Sequence, residues 1–136
     1  MKTAIDSYVF IDVFLHSRKE ETAVKKLQGA SASDSVISSM VIAEVKYQII
    51  KKLGHEKAEE AVFTIKNIEG MKIVDVSSEI AETAADIRAK YYKKNDNELS
   101  YADAIHIATA KLTGCDTLIT GDPDFKEITE IKIDFY

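Results

Sequence analysis

Thr117-Leu118-Ile119-Thr120-Gly121-Asp122-Pro123-Asp124-Phe125 opens with four residues of strand character, turns at a glycine and sets an acid two positions beyond the strand. Just upstream, Tyr101 to Leu112 has helical spacing and stops before Gly114. A helix followed by a short buried strand is half of a parallel α/β unit. The same alternation runs through the rest of the chain. Thr3-Ala4-Ile5 reads as a first strand, followed by a helix from Tyr8 to Phe14. A second helix runs from Glu20 to Gln28 and ends at Gly29. Ser35 to Ser38 is a strand. Val41, Val45 and Ile49 mark a helix that stops at Gly54. The spacing predicts a further helix over Glu56 to Ile68, closed by Gly70, then a strand over Met71 to Val76. A long helix covers Glu79 to Lys93, Asn95 to Asn97 form a loop, and Ile131 to Phe135 is the last strand. Such alternation implies a doubly wound parallel sheet with helices on both faces. Ligands then bind at the carboxyl ends of the strands, where strand order reverses.

With 136 residues, the chain is expected to form one domain over residues 1–136. Hydrophobic residues make up 46% and charged residues 30%, within the usual globular range. There is no apolar run long enough to span a membrane and no signal-peptide core at the N-terminus. The lone Cys115 cannot form an internal disulfide, so a cytoplasmic protein is the default expectation. The net charge of −5 argues against a simple basic nucleic-acid binder, unless acids gather around divalent cations that reverse the local sign.

The acids carry the chemistry. Asp6 follows the first strand directly, and Asp122 follows the fourth. Glu44 lies about one turn into the helix after the second strand, and Asp103 in the first turn of the helix before the fourth. Each has a plainer reading. Asp6 could cap the helix beginning near Tyr8, Ser100 and Asp103 fit a capping box, and Asp122-Pro123-Asp124 fits a cap with proline at the first helical position. Glu44 could be a solvated helix acid. Yet Glu44 sits in Met40-Val41-Ile42-Ala43-Glu44-Val45, and Asp103 between Tyr101-Ala102 and Ala104-Ile105. Acids in apolar surroundings are costly unless paired or metal-bound. Two carboxylates about 4 Å apart repel by roughly 4 kcal/mol at an effective dielectric of about 20. Divalent cations resolve that conflict, and oxygen ligands select hard ions such as Mg²⁺ or Mn²⁺.

Four segments resemble the PIN-domain nucleases, and among them the VapC-type toxins of toxin–antitoxin pairs. They are Ile5-Asp6-Ser7-Tyr8-Val9, Ser39 to Glu44, Tyr101 to Ala108, and Leu118 to Phe125. They stand in the family's order and span essentially the whole chain. The resemblance implies a three-layer α/β/α fold with a central five-stranded parallel sheet, first and fourth strands adjacent. It implies metal-assisted hydrolysis of RNA phosphodiester bonds. Asp6, Glu44, Asp103 and Asp122 are then both catalytic residues and metal ligands. Ser7 and Thr120 match supporting hydroxyls, and Asp124 an accessory acid. A homodimer and a small antitoxin protein as partner also follow from the resemblance. Ser7 stands where Thr is more frequent, and Tyr8 where a small polar residue is usual, which would narrow the substrate channel.

His106 lies one helical turn beyond Asp103 and could touch metal or phosphate, but its plainer reading is a packed or surface helix histidine. His16 and His55 have no spaced partner. Cys115 reads as a small buried residue. Lys46, Lys51 and Lys52 could contact an RNA backbone beyond the metal site, but their plainer reading is a solvated helix face. Arg88, Lys90, Lys93 and Lys94 interleave with Tyr91 and Tyr92, a composition that suits RNA backbone and unpaired bases as well as a core or dimer contact. Tyr8, Phe10 and Phe14 could be core or a groove for a partner helix.

Two rival classes remain. A PIN-like module that binds metal and RNA without cutting would have lost an acid, and all four are present. A phospho-aspartate protein would need Asp-x-Asp after the first strand, as in haloacid dehalogenases, or an Asp closing the third strand, as in receiver domains. Asp6 is followed by Ser7 and Tyr8, and Asp75 falls inside the expected third strand.

Overall fold

The computed structural model describes residues 1–32 and 34–136. Five parallel strands form one sheet: β1 (Lys2–Ile5), β2 (Asp34–Ser38), β3 (Met71–Val74), β4 (Thr117–Thr120) and β5 (Lys132–Phe135), in the order β3-β2-β1-β4-β5. Strand order reverses between β1 and β4, where crevices open at carboxyl ends. The three-layer expectation is met, with β1 and β4 adjacent in the register Thr3↔Thr117 to Ile5↔Ile119.

Side chains alternate across a strand, so neighbouring residues feed opposite layers. Ala4 and Leu118 pack with α5 (Ser78–Tyr91) and α6 (Tyr101–Leu112) through Ile80, Ile87 and Ile107. Ile5 and Ile119 pack on the other face with α1 (Ser7–Phe14), α2 (Glu20–Ser31), α3 (Ser39–Leu53) and α4 (His55–Lys66), through Phe10, Val41, Val45 and Ile65. Phe10 is wholly buried, settling it as core. Among the described residues, no helix is long and apolar enough to cross a membrane.

Four boundaries differ from the sequence expectation by two residues or more. Helix α2 continues through Gly29 to Ser31, because Ala30 is buried in the core and holds the last turn. Glycine costs an interior helix position only about 1 kcal/mol. Helix α4 ends at Lys66, where the Asn67 side chain donates to the Phe63 carbonyl at 2.7 Å. Helix α5 ends at Tyr91, because Lys93 and Asn97 exchange backbone hydrogen bonds of 2.8 Å and pull the chain into a tight loop. Strand β3 ends at Val74, since its partner β2 runs out at Ser38. Asp75 therefore follows the third strand rather than lying inside it. That strand is at the sheet edge, away from the β1/β4 reversal, whereas a receiver-type sheet carries it centrally.

Backbone geometry calls for glycine at the α3/α4 junction. Gly54, at φ +92°, ends α3 in a conformation that L-residues avoid, and α4 starts at the next residue.

Candidate metal and active site

Asp6 sits at the end of β1, 1% exposed, its N–H donating to the Ile119 carbonyl at 3.0 Å. It holds the position before α1, but its side chain makes no capping bond. The cap reading thus fails for this acid. Its Oδ2 instead accepts from Thr120 Oγ1 at 2.7 Å, and its Oδ1 lies 3.5 Å from the Ser7 hydroxyl. Thr120 Oγ1 also accepts from the Asp122 N–H at 3.0 Å, so one buried hydroxyl ties the ends of β1 and β4 together.

The cap readings hold for Asp103 and Asp122. Ser100 and Asp103 form a reciprocal capping box, with bonds of 3.0 and 3.1 Å. Asp122 Oδ1 accepts from the Asp124 N–H at 2.9 Å, capping the short 3-10 turn Pro123–Phe125. Capping does not remove them from the crevice. The carboxylates of Asp103, Asp122 and Asp124 each present an oxygen within 4.8 Å of the others. The caps fix their orientation.

A second triad lies beside the first. Asp6, Glu44 and His106 bring ligand atoms within 4.8 Å of one another. His106 Nε2 is 2.5 Å from Glu44 Oε1 and 3.6 Å from Asp6 Oδ1, while Nδ1 is 3.0 Å from Ser38 Oγ. His106 is 2% exposed, packed as its plainer reading held, but packed against the acids. From sequence alone His106 is a candidate for contact with metal or phosphate, ranked below simple packing. The available signal was its position one turn after Asp103, which puts both on one helix face.

The electrostatics join the triads. Burial pushes the Asp103 carboxyl up to about 7, aided by the charges of Asp6 and Asp122. Burial also raises Asp6, against the opposing pull of His106 and Thr120. Asp122 is raised by burial, then by Asp124, Asp6 and Glu44. Burial alone would lower His106, but the bond to Glu44 and the charges of Asp6, Glu44 and Asp103 raise it above its ordinary value. Buried acids that resist ionisation need counter-charge, and His106 supplies part of it. The donor set, five carboxylates and one imidazole, fits a hard divalent cation such as Mg²⁺ or Mn²⁺.

Tyr8 stands at the rim, half-exposed. Its phenol is pushed up by burial and by Asp122, Asp12, Asp6 and Asp103. Gly121, between Thr120 and Asp122, lets the Tyr136 ring approach. A Cβ there would lie 3.0 Å from Tyr136 Cζ. Tyr136 donates to Asp12 at 2.6 Å, and Ser17 donates to the same carboxylate at 2.7 Å, so this buried acid is structural. Outside the site, His16 pairs with Glu20 at the surface and Lys46 with Glu59. Cys115 is half-buried near Thr113, and burial raises its thiol.

The chain belongs to the PIN-domain family, whose model matches residues 3–131. Solved structures share the fold. VapBC2 from Rickettsia felis, bound to a DNA fragment from its promoter, superposes with a TM-score of 0.77 at 16% identity, over 100% of this chain and 99% of that one. VapC20 of Mycobacterium tuberculosis, a Sarcin-Ricin loop cleaving toxin, gives 0.75 at 19% identity, over 96% and 98%. A toxin–antitoxin complex from Klebsiella pneumoniae gives 0.66 at 27% identity, over 95% and 94%. No curated protein matches the sequence significantly.

Proposed function

We propose that the protein is a metal-dependent endoribonuclease, the toxin of a toxin–antitoxin pair. The observation that carries this reading is the convergence of Asp6, Glu44, Asp103 and Asp122 at the carboxyl ends of β1 and β4, in two triads that share one field. The likeness to toxin structures, one of them a Sarcin-Ricin loop cleaving toxin, supports the choice of RNA as substrate.

Asp6, Asp103, Asp122 and Glu44 would hold the cation, with Asp124 as accessory. When bound, Mg²⁺ or Mn²⁺ supplies charge neutralisation at the scissile phosphate and activation of the attacking water. Thr120 fixes Asp6 through its Oδ2, and Ser7 lies against Oδ1. His106 orients Glu44 and is itself held by Ser38. Tyr8 narrows the entrance. The protein works in the cytoplasm as a homodimer, silenced by a small antitoxin. An antitoxin arginine would suit the acidic crevice, since it pairs with carboxylates in a bidentate fork.

Asp6→Asn tests the assignment. It preserves shape and removes a buried charge, so the fold should stand while RNA cleavage is lost. Full cleavage by the purified, folded variant would overturn the assignment, as would undiminished wild-type activity in excess EDTA.

A further inference from the structure

Arg88, near the end of α5, is held beside the first turn of α6. Its Nε donates to the Leu99 carbonyl at 3.1 Å, one residue before the Ser100 cap. Its guanidinium carbon lies 4.3 Å from the Tyr92 ring centroid and 4.4 Å from that of Tyr101. Among the described residues, no carboxylate pairs with it. An arginine held by two aromatic rings and one carbonyl, with its terminal donors unclaimed by acid, is arranged for an anion from outside.

The surroundings narrow the choice of anion. Tyr101 is 61% exposed and Tyr92 38%, both large aromatic faces left open to solvent. With Ala85 and Ala89 they line a shallow cavity of about 250 Å³. The run Arg88-Ala89-Lys90-Tyr91-Tyr92-Lys93-Lys94 carries four cations and no acid. Lys90 is engaged by Glu130, while Lys93 and Lys94 are exposed. Tyr91 does not join them. It is buried and bonded through its hydroxyl to Thr129 and Glu130, which withdraws it from the stacking surface. Tyr101 opens the helix whose third residue is Asp103, and since residues two apart on a helix point to different sides, the patch and the acidic crevice flank the same helix start.

We propose that Tyr92, Arg88 and Tyr101 form a subsite for single-stranded RNA. Arg88 takes a backbone phosphate, and the tyrosine rings stack unpaired bases next to the cleavage site. The proposal rests on the endoribonuclease reading and assigns where on this chain unpaired bases would be held. Stacking on aromatic faces needs bases free of a helix, and a duplex offers none except at its ends.

The test measures binding of fluorescent oligoadenylate and of a blunt RNA duplex to the full chain in the Asp6→Asn background. Cleavage kinetics are followed in the otherwise wild-type chain. Tyr92→Leu and Tyr101→Leu keep apolar bulk but lose the ring. Each should weaken oligoadenylate binding about 5- to 150-fold and raise KM more than it lowers kcat. Duplex binding should be unchanged. Arg88→Lys keeps the charge without the planar fork and should also weaken oligoadenylate binding. Unchanged oligoadenylate affinity and KM in all three folded variants would overturn the subsite. So would a change confined to oligomeric state, which would make the patch a contact between copies. Absence of wild-type cleavage, with oligoadenylate binding still dependent on the tyrosines, would remove the nuclease reading and leave the subsite standing.

Discussion

Thr120 does two jobs with one oxygen. It donates to Asp6 and accepts from the Asp122 backbone, and it is wholly buried. Thr120→Val keeps the shape and removes both bonds, leaving the part-buried Asp122 N–H without its partner at a cost of about 1 kcal/mol. Second-layer partners of metal ligands also matter for affinity, where their loss typically costs about 10- to 100-fold. The expected outcome is a lower urea midpoint together with weakened Mn²⁺ binding, read by calorimetry, whereas Thr120→Ser should behave as wild type. Equal Mn²⁺ affinity in Thr120→Val would show that Asp6 orients itself. At this scale the sequence exposed much of the arrangement. The acids were legible because each sits at a strand end or in apolar company. His106 was not, because a histidine on a helix acquires meaning only from what faces it. Here that is Glu44, on a different helix, and Ser38, at the end of β2.

Helix α6 shows how an element carries both fold and site. Its N-terminus is closed by the Ser100–Asp103 box, and the same Asp103 faces Asp122 and Asp124 across the crevice. Ser100→Ala should lower stability by about 0.5–2 kcal/mol, the usual worth of a cap. It should also reduce RNA cleavage by freeing Asp103 to rotate. Ser100→Asp, which restores a cap, should recover the urea midpoint. A midpoint indifferent to Ser100→Ala would mean that packing of Ile107 and Ala108 alone holds the helix start. Elements were easy to place from sequence where local signals and tertiary packing agree, as at Gly54 and Ser100. They were misjudged where packing overrides a local signal. Ala30 carries α2 past Gly29, and the end of β2 truncates β3. Such boundaries depend on partners distant in the chain, which periodicity does not reveal.

For the whole molecule, acids gathered in one crevice are a burden on the fold unless counter-charge offsets them. Asp103 is raised to about 7, and Asp6 and Asp122 are raised as well. A carboxyl whose folded pKa lies above its unfolded value stabilises the fold in its protonated form. That contribution is complete below the ordinary value of 3.8 and is lost as pH climbs through about 7. His106 acts in the same direction. Its folded pKa is raised above 6.5, so its contribution is present below that pH and disappears as pH rises through the raised value. The metal-free protein should therefore lose thermal stability between about pH 5 and pH 8. A divalent cation held by these acids would compete with the protons for the same oxygens, and its binding would strengthen as they leave. Stabilisation by ligand grows as RT ln(1 + [L]/Kd), and the tighter binding at high pH should widen the gap between loaded and metal-free protein. Thermal unfolding in EDTA and in Mn²⁺ across that range measures both trends. The difference in Tm should be small at the acid end and largest at the alkaline end, and Asp103→Asn should flatten the metal-free profile. A Tm difference independent of pH would mean that the acids are already ionised and compensated within the protein, and that no cation is needed to hold them.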